Sequence, residues 1–184
     1  MSSRVWESIT RPGWLIVCGT LLLVLVLIET ASLRHKGLTT DELLHYHYGY
    51  RVLHGAPRRG GVLDSSTMPF SSLHAMTSGN LAILARGVGI PIDTAWESQV
   101  KRGRYATIIL SILLALYVLR WSYELYGRNG ALLSLSLYVF DPNVLAHGHL
   151  VTADLAAALM TTMGLVGFCC SRACCVHCRL GLRA

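Results

Sequence analysis

Apolar residues along this chain fall in blocks rather than in stripes. Residues 14–33 form a nearly unbroken apolar run whose one acid is Glu29. A second run, "YATIILSILLALYVLRW", covers residues 105–121, a third covers 131–140 and a fourth 150–170. A helix needs about 20 apolar residues to cross hydrocarbon. The first, second and fourth runs are therefore predicted spans. The third is short: it either begins earlier, near Tyr126, or stops below the surface in a protein-lined cavity. The pattern predicts an all-α membrane protein with about four transmembrane helices, separated first by a long loop over residues 34–104.

That loop carries its own pattern. "DELLHYHYGYRVLHG" reads as a helix closed by Gly55. "APRRGGVLDSSTMP" has no period. "FSSLHAMTSGNLAILARGVG" reads as one or two short amphipathic helices lying along a membrane. "DTAWESQVKRGRYA" leads into the second run, with Trp96 and Tyr105 suited to the interface. Strand signal is weak throughout.

Composition supports this division. The 184-residue chain is 53% hydrophobic and only 14% charged, against about a quarter charged in soluble domains. Its net charge of +6 points to anionic headgroups or phosphates. No basic tract interleaves with aromatics, so nucleic acid is not an expected partner. Arg4 and Arg11 precede the first run, Arg120 and Arg128 lie between the second and third, and Arg172, Arg179 and Arg183 follow the fourth. If every run crosses, all three groups share one side, and the positive-inside bias makes it cytoplasmic. The expected protein is multi-pass, with a cytoplasmic amino terminus, in the inner or plasma membrane of a bacterium. Residues 29–34, Glu-Thr-Ala-Ser-Leu-Arg, offer no small-residue cleavage site, so the first run reads as an uncleaved anchor.

This topology gathers acids on the outer face. Asp41, Glu42, Asp141 and Asp154 all reach it, with His45, His147 and His149 beside them. Thr39 and Glu42 have capping-box spacing, which puts Asp41 in the first helical turn, and Asp41 and His45 are one turn apart. A carboxylate there can accept the proton of an attacking hydroxyl. Arg58, Arg59, Lys101, Arg102 and Arg104 supply cations for a phosphate leaving group. Each has a plainer reading. Asp41 and Glu42 are good first-turn residues, Asp141 before Pro142 is a helix cap, and Lys101, Arg102 and Arg104 can anchor the second span by snorkelling. Asp154, just inside an apolar helix, is expected to face the interior and to be functional.

"TTDELLHYHYGYRVLHG", "STMPFSSLHAM" and "LYGRNGALLSLSLYVFDPNVLAHGHLVTADLAAAL", in this order, resemble the amino-terminal part of the protein O-mannosyltransferase-like glycosyltransferases, which belong to the C-type membrane glycosyltransferases. The resemblance covers roughly residues 14–168. It implies a multi-span helical bundle that moves a hexose-type sugar from a polyprenyl-phosphate carrier to a hydroxyl acceptor on a protein, lipid or glycan. It assigns the base to Asp41, with Glu42 beside it, and a second acid to Asp154. Family members are much longer. Residues 1–170 are thus expected to be the amino-terminal transmembrane part of such a domain, truncated or frame-shifted. Residues 171–184 are a Cys/Arg-rich tail of unassigned role.

No cofactor is required by this reading. A divalent metal is admitted by His147, His149 and Asp154, but two His with one spacer are a weak ligand signal. Cys175 and Cys178 form a Cys-x-x-Cys pair around His177 with no second pair at finger spacing. The other reading of the whole chain is a non-catalytic membrane subunit that packs against further helices.

Overall fold

The computed structural model describes residues 12–56 and 69–181; within them the fold is entirely helical, with no strand. Six α-helices follow in order: α1 Pro12–His35, α2 Thr40–Leu53, α3 Ser72–Gly87 after a 3₁₀ turn Pro69–Ser71, α4 Trp96–Val139, α5 Pro142–His147 and α6 Asp154–Gly181. Arg58 and Arg59 lie outside the described residues.

Local chemistry sets several boundaries. α2 begins with a complete capping box: the Glu42 N–H donates to the Thr39 hydroxyl, and the Thr39 N–H donates back to the Glu42 carboxylate at 3.0 Å. Gly55, at φ 70°, follows its last turn. α5 starts on Asp141, whose Oδ1 accepts from the Asn143 and Val144 N–H groups at 2.7 and 3.0 Å, with Pro142 at the first position. The cap reading of Asp141 describes its contacts here.

α4 is the main departure from the sequence pattern. It begins at Trp96, nine residues before the apolar run, and joins the second and third runs without a loop. Its one break is Gly127, at φ 70°, ψ −161°, a region open essentially only to glycine. There the chain doubles back. Tyr138, 27 residues from Ser111, donates its hydroxyl to the Ser111 carbonyl at 3.0 Å. Arg120, expected at a loop, sits inside the helix and pairs with Glu124 at 3.1 Å. The first arm, 96–126, is long; the second, 128–139, rises only about 18 Å and ends beside Ser111. α6 begins at Asp154 rather than at Leu150 and continues through the Cys/Arg-rich segment to Gly181.

Two helices are long and apolar enough to cross a membrane, Gly13–Leu33 and Trp96–Val139; the apolar stretch Asp154–Phe168 of α6 is shorter. α1 runs antiparallel to the first arm of α4: Trp14 meets Tyr123 at 5.6 Å, while the carbonyls of Lys36 and Gly37 meet Arg104. Cys18 and Leu25 of α1 pack on Ala115 of the first arm and on Leu135 and Val139 of the second. Leu110 and Leu114 pack on Leu155, Ala156 and Leu159 of α6. Ala115 and Ala131 are fully buried, so the helices approach closely there. Leu15, Ile16, Leu23 and Leu27 on α1, with Leu133 and Leu137 on α4, remain exposed and suit lipid contact.

Helices α2 and α3 lie against the start of α4, at the end opposite the Gly127 turn. A third cluster, Tyr46, Ala75, Val100 and Val151, ties them to the 148–153 loop. α2 approaches the 3₁₀ turn so closely at Gly49 that a Cβ there would collide with the Ser71 carbonyl.

Candidate functional site

The centre of the polar end is Glu42. Its side chain and that of Arg104 are both wholly buried. Arg104 Nε donates to Glu42 Oε1 and Arg104 Nη2 to Oε2, each at 2.8 Å. The Val151 N–H donates to Oε1 at 3.1 Å, and the Thr39 hydroxyl to Oε2 at 3.2 Å. Arg104 also donates Nη1 to the Lys36 carbonyl and Nη2 to that of Gly37. Burial alone would raise the Glu42 pKa; the hydrogen bonds from Arg104, Thr39 and Val151 outweigh it and hold the carboxyl below its ordinary range. A charge pair this deep needs hydrogen bonds on both sides; here both Glu42 oxygens accept and four of the five Arg104 N–H groups donate. The capping geometry read from the sequence is thus one side of a clasp that joins α2, the α1–α2 link, α4 and the 148–153 loop.

Asp41 stands next to the clasp. Its side chain is 63% exposed, and its Oδ2 lies 3.8 Å from Nε2 of buried His45. On the far side of Val151, the sequence reading expects the Asp154 side chain to face the interior. Instead it is 70% exposed, 3.8 Å from His147 Nδ1. Asp154 heads α6, where a first-residue carboxylate meets free helix N–H groups rather than hydrocarbon. The two motifs, 109 residues apart, are joined by the Glu42–Val151 bond.

The histidines separate. His45 Nδ1 is 3.4 Å from the Ser71 hydroxyl, and His74 Nε2 is 3.1 Å from the Thr107 hydroxyl. Burial pushes the His74 pKa down to about 4. His149 is fully buried, and burial lowers its pKa, offset in part by a hydrogen bond with the Leu145 backbone. It does not join His147 and Asp154. Among the described residues no three His, Cys, Asp or Glu side chains come together as metal ligands. Glu29 is also fully buried, accepting from the Ser111 hydroxyl at 2.7 Å.

The basic residues also part company. Lys101 pairs with Glu97 on the surface at 2.9 Å. Arg104 is engaged by Glu42 and two carbonyls rather than presented to a ligand. Arg102 turns instead to a cleft between α2, α3 and the start of α4, with Arg86 on its opposite wall. Arg86, Tyr46, Ser78 and Gln99 were not singled out from sequence; their one signal is a basic last turn on an amphipathic helix facing an aromatic one.

Comparisons with protein-family models, with curated proteins and with solved structures give no match to this chain.

Proposed function

We propose that this chain is the amino-terminal, membrane-embedded part of a glycosyltransferase that moves a hexose-type sugar from a polyprenyl-phosphate carrier to a hydroxyl acceptor. The observation that carries the reading is the Glu42–Val151 bond. It brings the acid pair of the first loop and the Asp-Pro-Asn to Thr-Ala-Asp segment to one place. Asp41, exposed beside His45, is the proton acceptor for the attacking hydroxyl. Glu42 holds the helix that presents it, and Asp154 is the second acid. In this reading four segments cross the membrane of a bacterium, the amino terminus is cytoplasmic, and the polar end faces outward. The Gly127 turn lies about 35 Å along the first arm from Arg104, close to a bilayer thickness.

The test is sugar transfer, measured with the purified protein in lipid nanodiscs, a labelled polyprenyl-phosphate hexose and a hydroxyl acceptor. Asp41→Asn should cut the rate roughly 10²–10⁴-fold, the usual contribution of a general base. The fold should be unchanged, because the Asp41 side chain is largely exposed and Asn keeps its size. Transfer at the wild-type rate by this variant would refute the assignment. One observation favours the second reading, a non-catalytic membrane subunit: Glu42 and Arg104 are closed upon each other, as a purely structural clasp would be. Absence of transfer by the unmutated chain, with donor binding also absent, would establish that reading.

A further inference from the structure

The cleft beside Arg102, one of the cations the sequence offered for a phosphate, is a built polar site whose other residues the sequence did not single out. It encloses about 170 Å³ between Tyr46 and Tyr50 of α2, Ser78 and Arg86 of α3, and Gln99 and Arg102 of α4. Two features mark it as a place for an anion. Arg102 donates Nη1 to the Asp93 carbonyl at 3.1 Å, but its Nε is buried with no partner among the described residues. A buried guanidinium N–H without an acceptor is costly, and the guanidinium of Arg102, which lines the cleft, has only the Asp93 carbonyl as acceptor among the described residues. Arg86, on the facing wall, forms no ion pair among the described residues.

The surrounding groups sharpen the class. The acid next to the cleft, Asp93, gives Arg102 a hydrogen bond only through its backbone carbonyl; its carboxylate accepts from the Ala95 N–H and the Ser98 hydroxyl and offsets part of the Arg102 charge. Lys101 and Glu97 neutralise each other on the outside. The cleft thus keeps a net positive charge, with hydroxyls from Ser78, Thr94 and Tyr46 around it. Arg forks with adjacent hydroxyls suit an oxyanion that offers several acceptor oxygens at once. The volume is below the roughly 300–1,000 Å³ of sites that enclose whole cofactors, so it fits a head group. Ile83, Leu84, Val88 and Ile90, all exposed, lie on and just after α3.

We propose that this cleft binds a phosphate ester group, held between the guanidinium groups of Arg86 and Arg102. The proposal does not depend on sugar transfer. The group belongs either to a lipid or to a soluble phosphate, and the two sources share this chemistry.

The experiment is calorimetric titration of the purified chain in a maltoside detergent, which carries no phosphate. The probes are inorganic phosphate, a short-chain phosphatidic acid and acetate. Phosphate and phosphatidic acid should both bind, and acetate should bind at least tenfold more weakly. Tighter binding of phosphatidic acid than of phosphate identifies a lipid source; equal binding identifies a soluble one. Arg102→Gln and Arg86→Gln should each weaken binding about tenfold or more, as loss of one charge-assisted contact does. Arg86→Gln alters an exposed side chain, so it keeps the test informative should Arg102→Gln fail to fold. Arg120→Gln, which removes a surface cation far along α4, should leave binding unchanged. The proposal is overturned if neither phosphate probe binds, if acetate binds equally, or if Arg86→Gln binds as the wild type does.

Discussion

Replacing Glu42 by Gln removes one charge from the centre of the polar end and leaves its shape almost intact. The carboxylate accepts five hydrogen bonds, two from Arg104, two from Thr39 and one from Val151. A Gln amide presents an NH₂ where an oxygen stood, so at least one of these donors faces another donor. Arg104, wholly buried, then carries an uncompensated charge. Breaking one side of a buried pair costs about 3–5 kcal/mol, against a total stability of roughly 5–15 kcal/mol for a typical domain. The population of unfolded or opened molecules should rise by roughly a hundred- to several-thousand-fold. Tryptophan fluorescence during denaturation of the detergent-solubilised protein reads this as a fall in midpoint. A companion variant tests the cause. Glu42→Met with Arg104→Met removes both charges, and such replacement is often neutral or better. Here the Val151 N–H and the Lys36 and Gly37 carbonyls lose partners, so recovery is partial. The double variant should still be at least about 1 kcal/mol more stable than the sum of the single variants predicts. A Glu42→Gln protein within about 0.5 kcal/mol of wild type, or strictly additive single variants, would refute the clasp.

Acidification should destabilise the polar end in two stages. His74, its pKa lowered from 6.5 to about 4, binds its proton first in the unfolded chain, so stability is lost as pH falls from 6.5 towards 4, by on the order of 3 kcal/mol. Glu42, whose folded-state pKa lies below its ordinary 4.5, adds a loss only as pH falls below that value. In pH-dependent melting of the wild type and of His74→Asn, the first stage should shrink in the variant to the part that His149 and His47, whose pKa values are also lowered, contribute; an unchanged first stage would refute the assignment. Gly49→Ala should cost about 1–3 kcal/mol by overpacking against the Ser71 carbonyl, and Gly127→Ala about 1–3 kcal/mol by strain, both read as shifts in the same denaturation midpoint; unchanged midpoints would count against those geometries. In a background freed of native cysteines, single cysteines at Asn80 and Ser122 should label from opposite sides of the membrane, Asn80 from outside; labelling from the same side would refute the proposed orientation.

Several features were legible along the chain because they depend on neighbours a few residues away. The first apolar run needs no partner to be recognised, and α1 spans it. The capping box at Thr39 and Glu42 and the Asp141–Pro142 cap satisfy free N–H groups within three residues, so the residue types alone announce them. The end of α2 near Gly55 follows from backbone freedom at one position. Other features depend on partners that the sequence holds far apart. Glu42 reads as a helix-starting acid; its burial is decided by Arg104 and Val151, 62 and 109 residues away. Arg102 and Arg104 look alike in the chain, yet two residues along a helix turn them about 200° apart, one into a cleft and the other into the clasp. The turn at Gly127 was read as a loop between Arg120 and Arg128, since one glycine in an Arg- and Tyr-rich stretch carries no period of its own. The sequence alone determined where the capped helices α2 and α5 begin and which segments are apolar, since hydrogen-bond capping and hydrophobicity are local. The tertiary structure alone decided which charges are buried, paired or left open, since burial and pairing are properties of packed surfaces.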